Sequence, residues 1–318
     1  MEETFLLRPG YCILLKHTQR CALMILRCLV LFVALAFLQT PVVLLAQSPS
    51  VVADSLNHYL EVINAADSND ERLEAHQSLE NLLRRALLKE DVFLYPFNEV
   101  RAMAIHPAVG SGLRVFSWMV PLHDEPAQYG CVLVYRDRKK QMNQIWTLEQ
   151  QQGDMTSGRS VSEKNWPGSL IYNVVHVSAK PRDYYLLFGF EEAGEITNRK
   201  VVDVLYFQGN RPRIGLPVFE QGKRADKRLA FEYSQDAVFS LNFYDDIGMI
   251  VFDHLAPTHP SLEGQFAHYV PQQTFHGYRL QKGKWLYEEN VDFRRSKKEK
   301  DGPYNDPAKF KAPKPPRN

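Results

Sequence analysis

The chain's densest group of chemistry-bearing residues lies between positions 244 and 264. Tyr244-Asp245-Asp246 is followed by Phe252-Asp253-His254-Leu255-Ala256-Pro257-Thr258-His259-Pro260, then by Glu263-Gly264. Carboxylates held close together split their pKa values by mutual repulsion, which is the basis of an acid/base pair. Asp245, Asp246, Asp253 and Glu263 are therefore the candidate catalytic residues of a carboxylate-dependent hydrolase. That chemistry requires two of them on one cleft, roughly 5 to 10 Å apart as in glycosidases. The competing reading is local, because adjacent Asp residues between two strands bond to nearby backbone and favour a hairpin turn. Asp253, His254 and His259 are candidate metal ligands, with Glu263 as a further oxygen donor. Consecutive strand residues point to opposite faces, however, so Asp253 and His254 do not easily share one ion. Asp253 is expected instead to accept hydrogen bonds from backbone amides. The turn and backbone readings are preferred, and no catalytic residue, metal or cofactor is assigned.

Other reactive side chains give less. His176 and His268 share strand faces with Val174 and with Phe266 and Val270, which suits packed histidines. No HExxH motif, paired-Cys spacing, G-x-S-x-G elbow or glycine-rich phosphate loop occurs. Cys131 lies in the apolar run Tyr129–Val134, where a buried inert thiol is expected. Four tryptophans accompany many tyrosines. Aromatic faces bind sugars and peptides, but β-proteins also fill their cores with them. Trp285, beside the polar turn Gln281-Lys282-Gly283-Lys284, is the candidate exposed ligand platform.

The elements that must position these residues follow from periodicity. From Val51 to about Leu88, Leu56, Leu60 and Ile63, then Leu73, Leu79, Leu82, Leu83 and Leu87, recur at helical spacing. Asp67-Ser68-Asn69-Asp70 separates the two stripes, and Ser68 or Asn69 can cap the second helix. This predicts a helical hairpin over 47–95, packed on a main domain. After Pro96, twelve short Val-, Ile- and aromatic-rich runs alternate with Gly- or Asp-bearing turns. They are Leu113–Val120, Tyr129–Arg136, Gln141–Leu148, Leu170–Val177, Tyr184–Phe190, Lys200–Phe207, Leu229–Tyr233, Val238–Phe243, Met249–Phe252, Gln265–Val270, Thr274–Leu280 and Lys284–Glu288. No intervening run has helix length and period, so a parallel sheet with crossover helices is excluded. The fold class is α+β, predominantly antiparallel β, with a curled or two-layer β-meander over 96–293. A degenerate small β-propeller is the alternative, although no repeat of about 40 residues is evident. Val174-Val175, Leu186-Leu187-Phe188 and Val201-Val202 indicate strands buried on both faces.

The two ends of the chain speak to compartment. Arg20 and Arg27 flank an apolar run through Leu38, which Gln39-Thr40-Pro41 interrupts before Val42–Ala46 and polar Gln47-Ser48. A basic flank, a short apolar segment and a small residue before a polar start make a signal peptide over 1–46, cut after Ala46. Met24 is an alternative start. The alternative to cleavage is an inner-membrane anchor formed by an uncleaved helix. Removal of the signal takes Cys12, Cys21 and Cys28 with it and leaves Cys131 unable to form an internal disulfide. Roughly 270 mature residues are enough to be held by a core alone. The whole chain carries +1, while Arg294–Asn318 carries +6 and 47–293 about −7. An acidic body excludes a nucleic-acid partner, which needs clustered Lys and Arg. The Pro-rich tail over 294–318 reads as a disordered basic extension suited to an anionic envelope surface.

Several blocks occur together in one order: Tyr95-Pro96-Phe97, Leu113-Arg114-Val115-Phe116-Ser117-Trp118, Tyr184-Tyr185-Leu186-Leu187, Asn198-Arg199-Lys200 and Val251-Phe252-Asp253-His254-Leu255-Ala256-Pro257. With Gly277-Tyr278 and Gly283-Lys284-Trp285, they resemble a group of exported proteins of Bacteroidetes over most of Val51–Phe293. The resemblance implies export into a Gram-negative envelope, in the periplasm or outer envelope, and carries no activity or catalytic residues with it. The expectation is an exported non-catalytic β-rich protein binding a protein or glycan partner.

Overall fold

Two helices form where the apolar stripes require them. The computed structural model describes residues 48–108, 112–137, 142–151, 160–222 and 224–292. The expected signal segment and basic tail lie outside these residues. Helix α1 (Pro49–Ala65) starts with Pro49 at its first position and Ser48 as N-cap, the Val51 amide donating to Ser48 Oγ. Helix α2 (Asn69–Ala86) is capped by Ser68, which accepts from the Glu71 amide at 3.2 Å. Asp70 and Glu71 open it and Arg84 and Arg85 close it, each complementing the helix dipole. A one-turn helix α3 (Glu90–Leu94) leads into the strands. No helix among the described residues is long and apolar enough to cross a membrane.

The first sheet is an up-and-down meander of β1 (Ala104–Ala108), β2 (Leu113–Val120), β3 (Gln128–Asp137) and β4 (Met142–Thr147). The second contains β5 (Val161–Ser162), β6 (Leu170–Val177), β7 (Tyr184–Glu192), β8 (Thr197–Gln208) and β9 (Arg211–Ile214), in the order β5-β9-β8-β7-β6. The chain then makes the hairpin β10 (Phe219–Gln221) and β11 (Arg224–Asp226) in a third sheet. It returns to the second sheet as β12 (Arg228–Ser234), which pairs with β8. Strands β13 (Leu241–Tyr244), β14 (Met249–Pro257), β15 (Tyr269–Gln281) and β16 (Lys284–Glu288) complete the third sheet, in the order β11-β10-β16-β15-β14-β13. The pairing of β10 with β16 is parallel, and the other pairings between strands are antiparallel.

Three cores show how these layers stack. One face of the first sheet, with Phe116, Trp118, Val120, Val132 and Val134, packs on Leu56, Leu60, Ile63, Leu79 and Leu83 of the hairpin. Its other face, with Leu113, Val115, Cys131 and Leu133, packs on Ile171, Leu187 and Leu205 of the second sheet. The second sheet's far side, with Leu186, Phe188, Val202 and Val204, packs on Leu241, Ile250, Phe252, Tyr278 and Trp285 of the third. Alternation along each strand supplies both faces, which is why the central strands are apolar at consecutive positions. Each fully buried Val, Leu or Phe contributes roughly 1.5–3 kcal/mol.

The expected helical hairpin and antiparallel meander are thus present. The strands of the expected curled or layered meander divide among three stacked sheets, and they close neither a barrel nor the propeller ring named as the alternative. Gln265–Val270 was expected as a strand, but Phe266–His268 forms a 3-10 turn that leaves His268 exposed. Val238–Ser240 precedes β13 as a loop. Strands β1, β9, β10 and β11 escaped the sequence pattern because they are short, and β1 and β9 carry Pro while β10 and β11 are mostly polar.

Candidate functional site

The sequence's candidate residues each have a local structural role. Asp245 and Asp246 form the exposed turn between β13 and β14, closed by the Gly248 amide donating to the Asp245 carbonyl at 3.3 Å. Asp253 lies four residues beyond Met249 on β14, about 13 Å away along the strand. It accepts from the Ser240 amide at 2.6 Å, the backbone role expected of it. Glu263 is exposed in the loop after the 3-10 turn Pro260–Leu262. The turn that carries Asp245 and Asp246 thus lies more than about 13 Å along the strand from Asp253, too far for a hydrolytic pair between them.

The proposed metal ligands separate as well. His259 caps the Pro260–Leu262 turn, its Nδ1 accepting from the Ser261 amide at 3.2 Å. His254 instead faces His276, with ring centroids 4.6 Å apart. Among the described residues no group of three or more His, Cys, Asp or Glu side chains could hold a metal ion.

Trp285 is a correction. It is fully buried, and its indole N–H donates to the Tyr184 hydroxyl at 3.0 Å. Pairing of Leu280 with Trp285 turns the indole onto the inner face of the third sheet, under the turn that suggested exposure. Trp118 and Trp166 are also fully buried. Cys131 is buried as expected, and burial pushes its thiol well above the ordinary range.

The polar groups that do meet were invisible as a motif. On the face of β8 opposite Val202 and Val204, Asp203 is almost completely buried beside Arg228, whose Nε lies 2.9 Å from its Oδ1. Arg228 also pairs with Glu191 of β7, which accepts from Arg199 at 3.1 Å. Arg199 in turn reaches Glu232 of β12 at 2.6 Å, and Thr197 donates to Glu232 at 3.0 Å. Burial raises the Asp203 pKa, Arg228 opposes that shift and Glu191 adds to it. The register creates this network, since β7 and β12 both pair with β8 and bring 191, 199 and 232 into one row. Its side chains bond to one another, which suits joining three strands better than turning over a substrate.

On the other face, half-buried Lys200 donates to the Phe239 carbonyl and lies over the Tyr172 and Phe239 rings, 5.5 and 5.9 Å from their centroids. Burial lowers its pKa, with Asp253 acting against that. Arg114 is buried without an acidic partner and donates to the carbonyls of Phe93 and Tyr95. These cations act as backbone ties.

The least self-satisfied region lies around β12. Among the described residues this strand pairs only with β8, so its outer edge carries no strand. Exposed apolar side chains lie at the end of this strand and on the turn against it. Ile196 is 64% exposed where its carbonyl accepts from the Gln235 amide, and Val238 is 92% exposed just after the strand. Phe266 is 43% exposed on the 3-10 turn that lies against β12. The sequence signal was available in Val238 beside Asp236 and Ala237, but it was read as the start of a strand.

No family model, curated protein or solved structure matches the chain.

Proposed function

We propose that the chain is an exported binding protein of a Gram-negative envelope, acting without catalysis through the margin of β12. The observation that carries this is that the outer edge of β12 pairs with no other strand among the described residues, while exposed Phe266 lies on the turn against β12 and exposed Val238 just past its end. Exposed Ile196 stands at the end of the β8 pairing. Lone exposed apolar residues are ordinary, but several around one strand suit a partner. Ala230 on β12 is small and exposed, which leaves room for close approach of another backbone. The occupant that fits is an extended polypeptide segment adding to the edge, with backbone bonds giving affinity and the apolar side chains giving selectivity. Export rests on the pattern from Arg20 to Ser48, and the basic tail would add electrostatic contact with an anionic surface.

The test is co-purification from the envelope fraction of the source cell, with the mature N-terminus sequenced. The expected mature chain begins near Gln47, and a polypeptide partner is retained by the wild type. Val238→Asp and Phe266→Ser weaken retention by roughly tenfold or more without lowering the melting temperature. Turnover of an envelope substrate by the purified chain overturns the reading. So does recovery of a glycan in place of a polypeptide, or partner binding indifferent to both substitutions.

A further inference from the structure

We propose that His254, His276 and Tyr287 form a pH-sensitive clasp at the root of the two-stranded ribbon formed by the outer halves of β14 and β15. The proposal concerns the free protein and does not depend on the partner at β12. Strand β13 accompanies β14 only as far as Phe252, with one further bond from the Asp253 amide to the Ser240 carbonyl. Strand β16 accompanies β15 only from Gly277 onward, followed by the Val291 amide donating to the Phe275 carbonyl. Beyond these points Leu255–Pro257 pairs with Tyr269–Pro271 alone.

His254 stands where the register breaks between Asp253 and Leu255. Its ring lies 4.6 Å from that of His276, which is only 8% exposed. Tyr287 of β16 stacks on His276 at 5.8 Å with the planes 6° apart, and its hydroxyl lies 2.8 Å from His276 Nδ1. Phe252 stacks on the same imidazole at 6.3 Å and carries Phe231 of β12 against it. The titratable groups facing His276 are His254 on β14, Tyr287 on β16, Glu289 just past β16, and Tyr278 on its own strand beside Tyr287.

The Tyr287 hydroxyl donates to Nδ1 when that atom is unprotonated and accepts from it when it carries a proton. A charge on His276 is instead poorly hydrated between the Phe252 and Tyr287 rings and the facing His254 ring. Burial and then His254 hold the His276 pKa below the ordinary histidine value, and Glu289 opposes them only in part. An opened ribbon releases that constraint and binds protons near ~6.5, so opening is favoured as pH falls below that value. The clasp is closed at neutral pH and loosens in acid.

The experiment is a histidine NMR titration of the full chain, with amide hydrogen exchange at about pH 7.5 and about pH 5.5 after correction for intrinsic rates. His276 is expected to titrate below the ordinary histidine range. His254→Gln, at a half-exposed position, moves the His276 midpoint upward. Exchange across Asp253–Phe275 rises on the order of tenfold in acid while β7 and β8 hold. Tyr287→Phe raises that exchange already at neutral pH. A His276 midpoint unmoved by His254→Gln, or equal ribbon protection at both pH values, overturns the proposal. Neither outcome bears on partner capture at β12.

Discussion

Arg114 shows what single residues do in this molecule. Its guanidinium is buried, donates to the Phe93 and Tyr95 carbonyls, and lies 5.6 and 5.1 Å from the Phe97 and Phe116 ring centroids. Burial brings its pKa down to about 10, far enough from neutrality for the charge to persist. Two blocks that stood out in the sequence, Tyr95-Pro96-Phe97 and Leu113–Trp118, meet in this one contact, which fastens the end of α3 to β2. Arg114→Ala leaves two carbonyls without their donor and a cavity between two rings. It should cost about 2–4 kcal/mol in urea denaturation. Arg114→Lys should recover only part of this, because an ammonium can donate to both carbonyls from one nitrogen, as Nη1 does, but cannot lie as a plane against the two rings. A loss below about 1 kcal/mol for the alanine variant would mean that water replaces the side chain freely. Close packing at single positions is as exacting. A Cβ on Gly130 would stand 2.0 Å from the Trp118 ring, so Gly130→Ala must displace the indole whose N–H bonds to His76.

At the scale of elements, the row of Glu191, Arg199, Asp203, Arg228 and Glu232 ties β7, β8 and β12 together. A buried pair is a weak source of net stability, but removing one partner strands the other charge in a poor solvent. Arg228→Met should therefore cost about 3–5 kcal/mol, and adding Asp203→Leu should recover much of that loss. Equal destabilisation by the single and double variants would show that the two charges are not coupled. The strands themselves were largely legible. Runs such as Leu113–Val120, Leu170–Val177 and Lys284–Glu288 coincide with β2, β6 and β16 because their apolar alternation is set locally. The ion network was not legible, since its members are separated in sequence by as much as Glu191 is from Glu232. Their meeting depends on cross-strand register, which a single chain's pattern does not state. The same holds for His254 and His276, whose proximity follows from the pairing of Phe252 with His276. Trp285 failed differently: a polar turn was taken as a guide to the indole's environment, whereas the strand face decided it.

At the scale of the whole molecule, each set of layers contains a histidine whose pKa burial lowers. His76 accepts the Trp118 indole N–H at 2.9 Å between α2 and the first sheet. His106 of β1 lies 3.0 Å from the Ile171 carbonyl between the first and second sheets. His276 occupies the third sheet against Tyr287. Burial is the largest cause of the lowered pKa in all three, opposed by Glu80 at His76, by the Ile171 carbonyl at His106 and by Glu289 at His276. A base whose folded pKa lies below its unfolded value binds fewer protons folded than unfolded. Stability is then complete above about pH 6.5 and declines as pH falls toward the folded pKa. Asp203 acts in the opposite sense, because a carboxyl raised by burial gains protons in the folded state. Between about pH 6.5 and 5.5 an imidazole that stays neutral removes at most about 1 kcal/mol, which bounds the contribution of each histidine. The melting temperature should therefore fall over that interval. His76→Gln, which keeps an acceptor for Trp118, should flatten the dependence. A melting temperature constant over that interval would mean that the layers admit charged imidazoles as readily as water does.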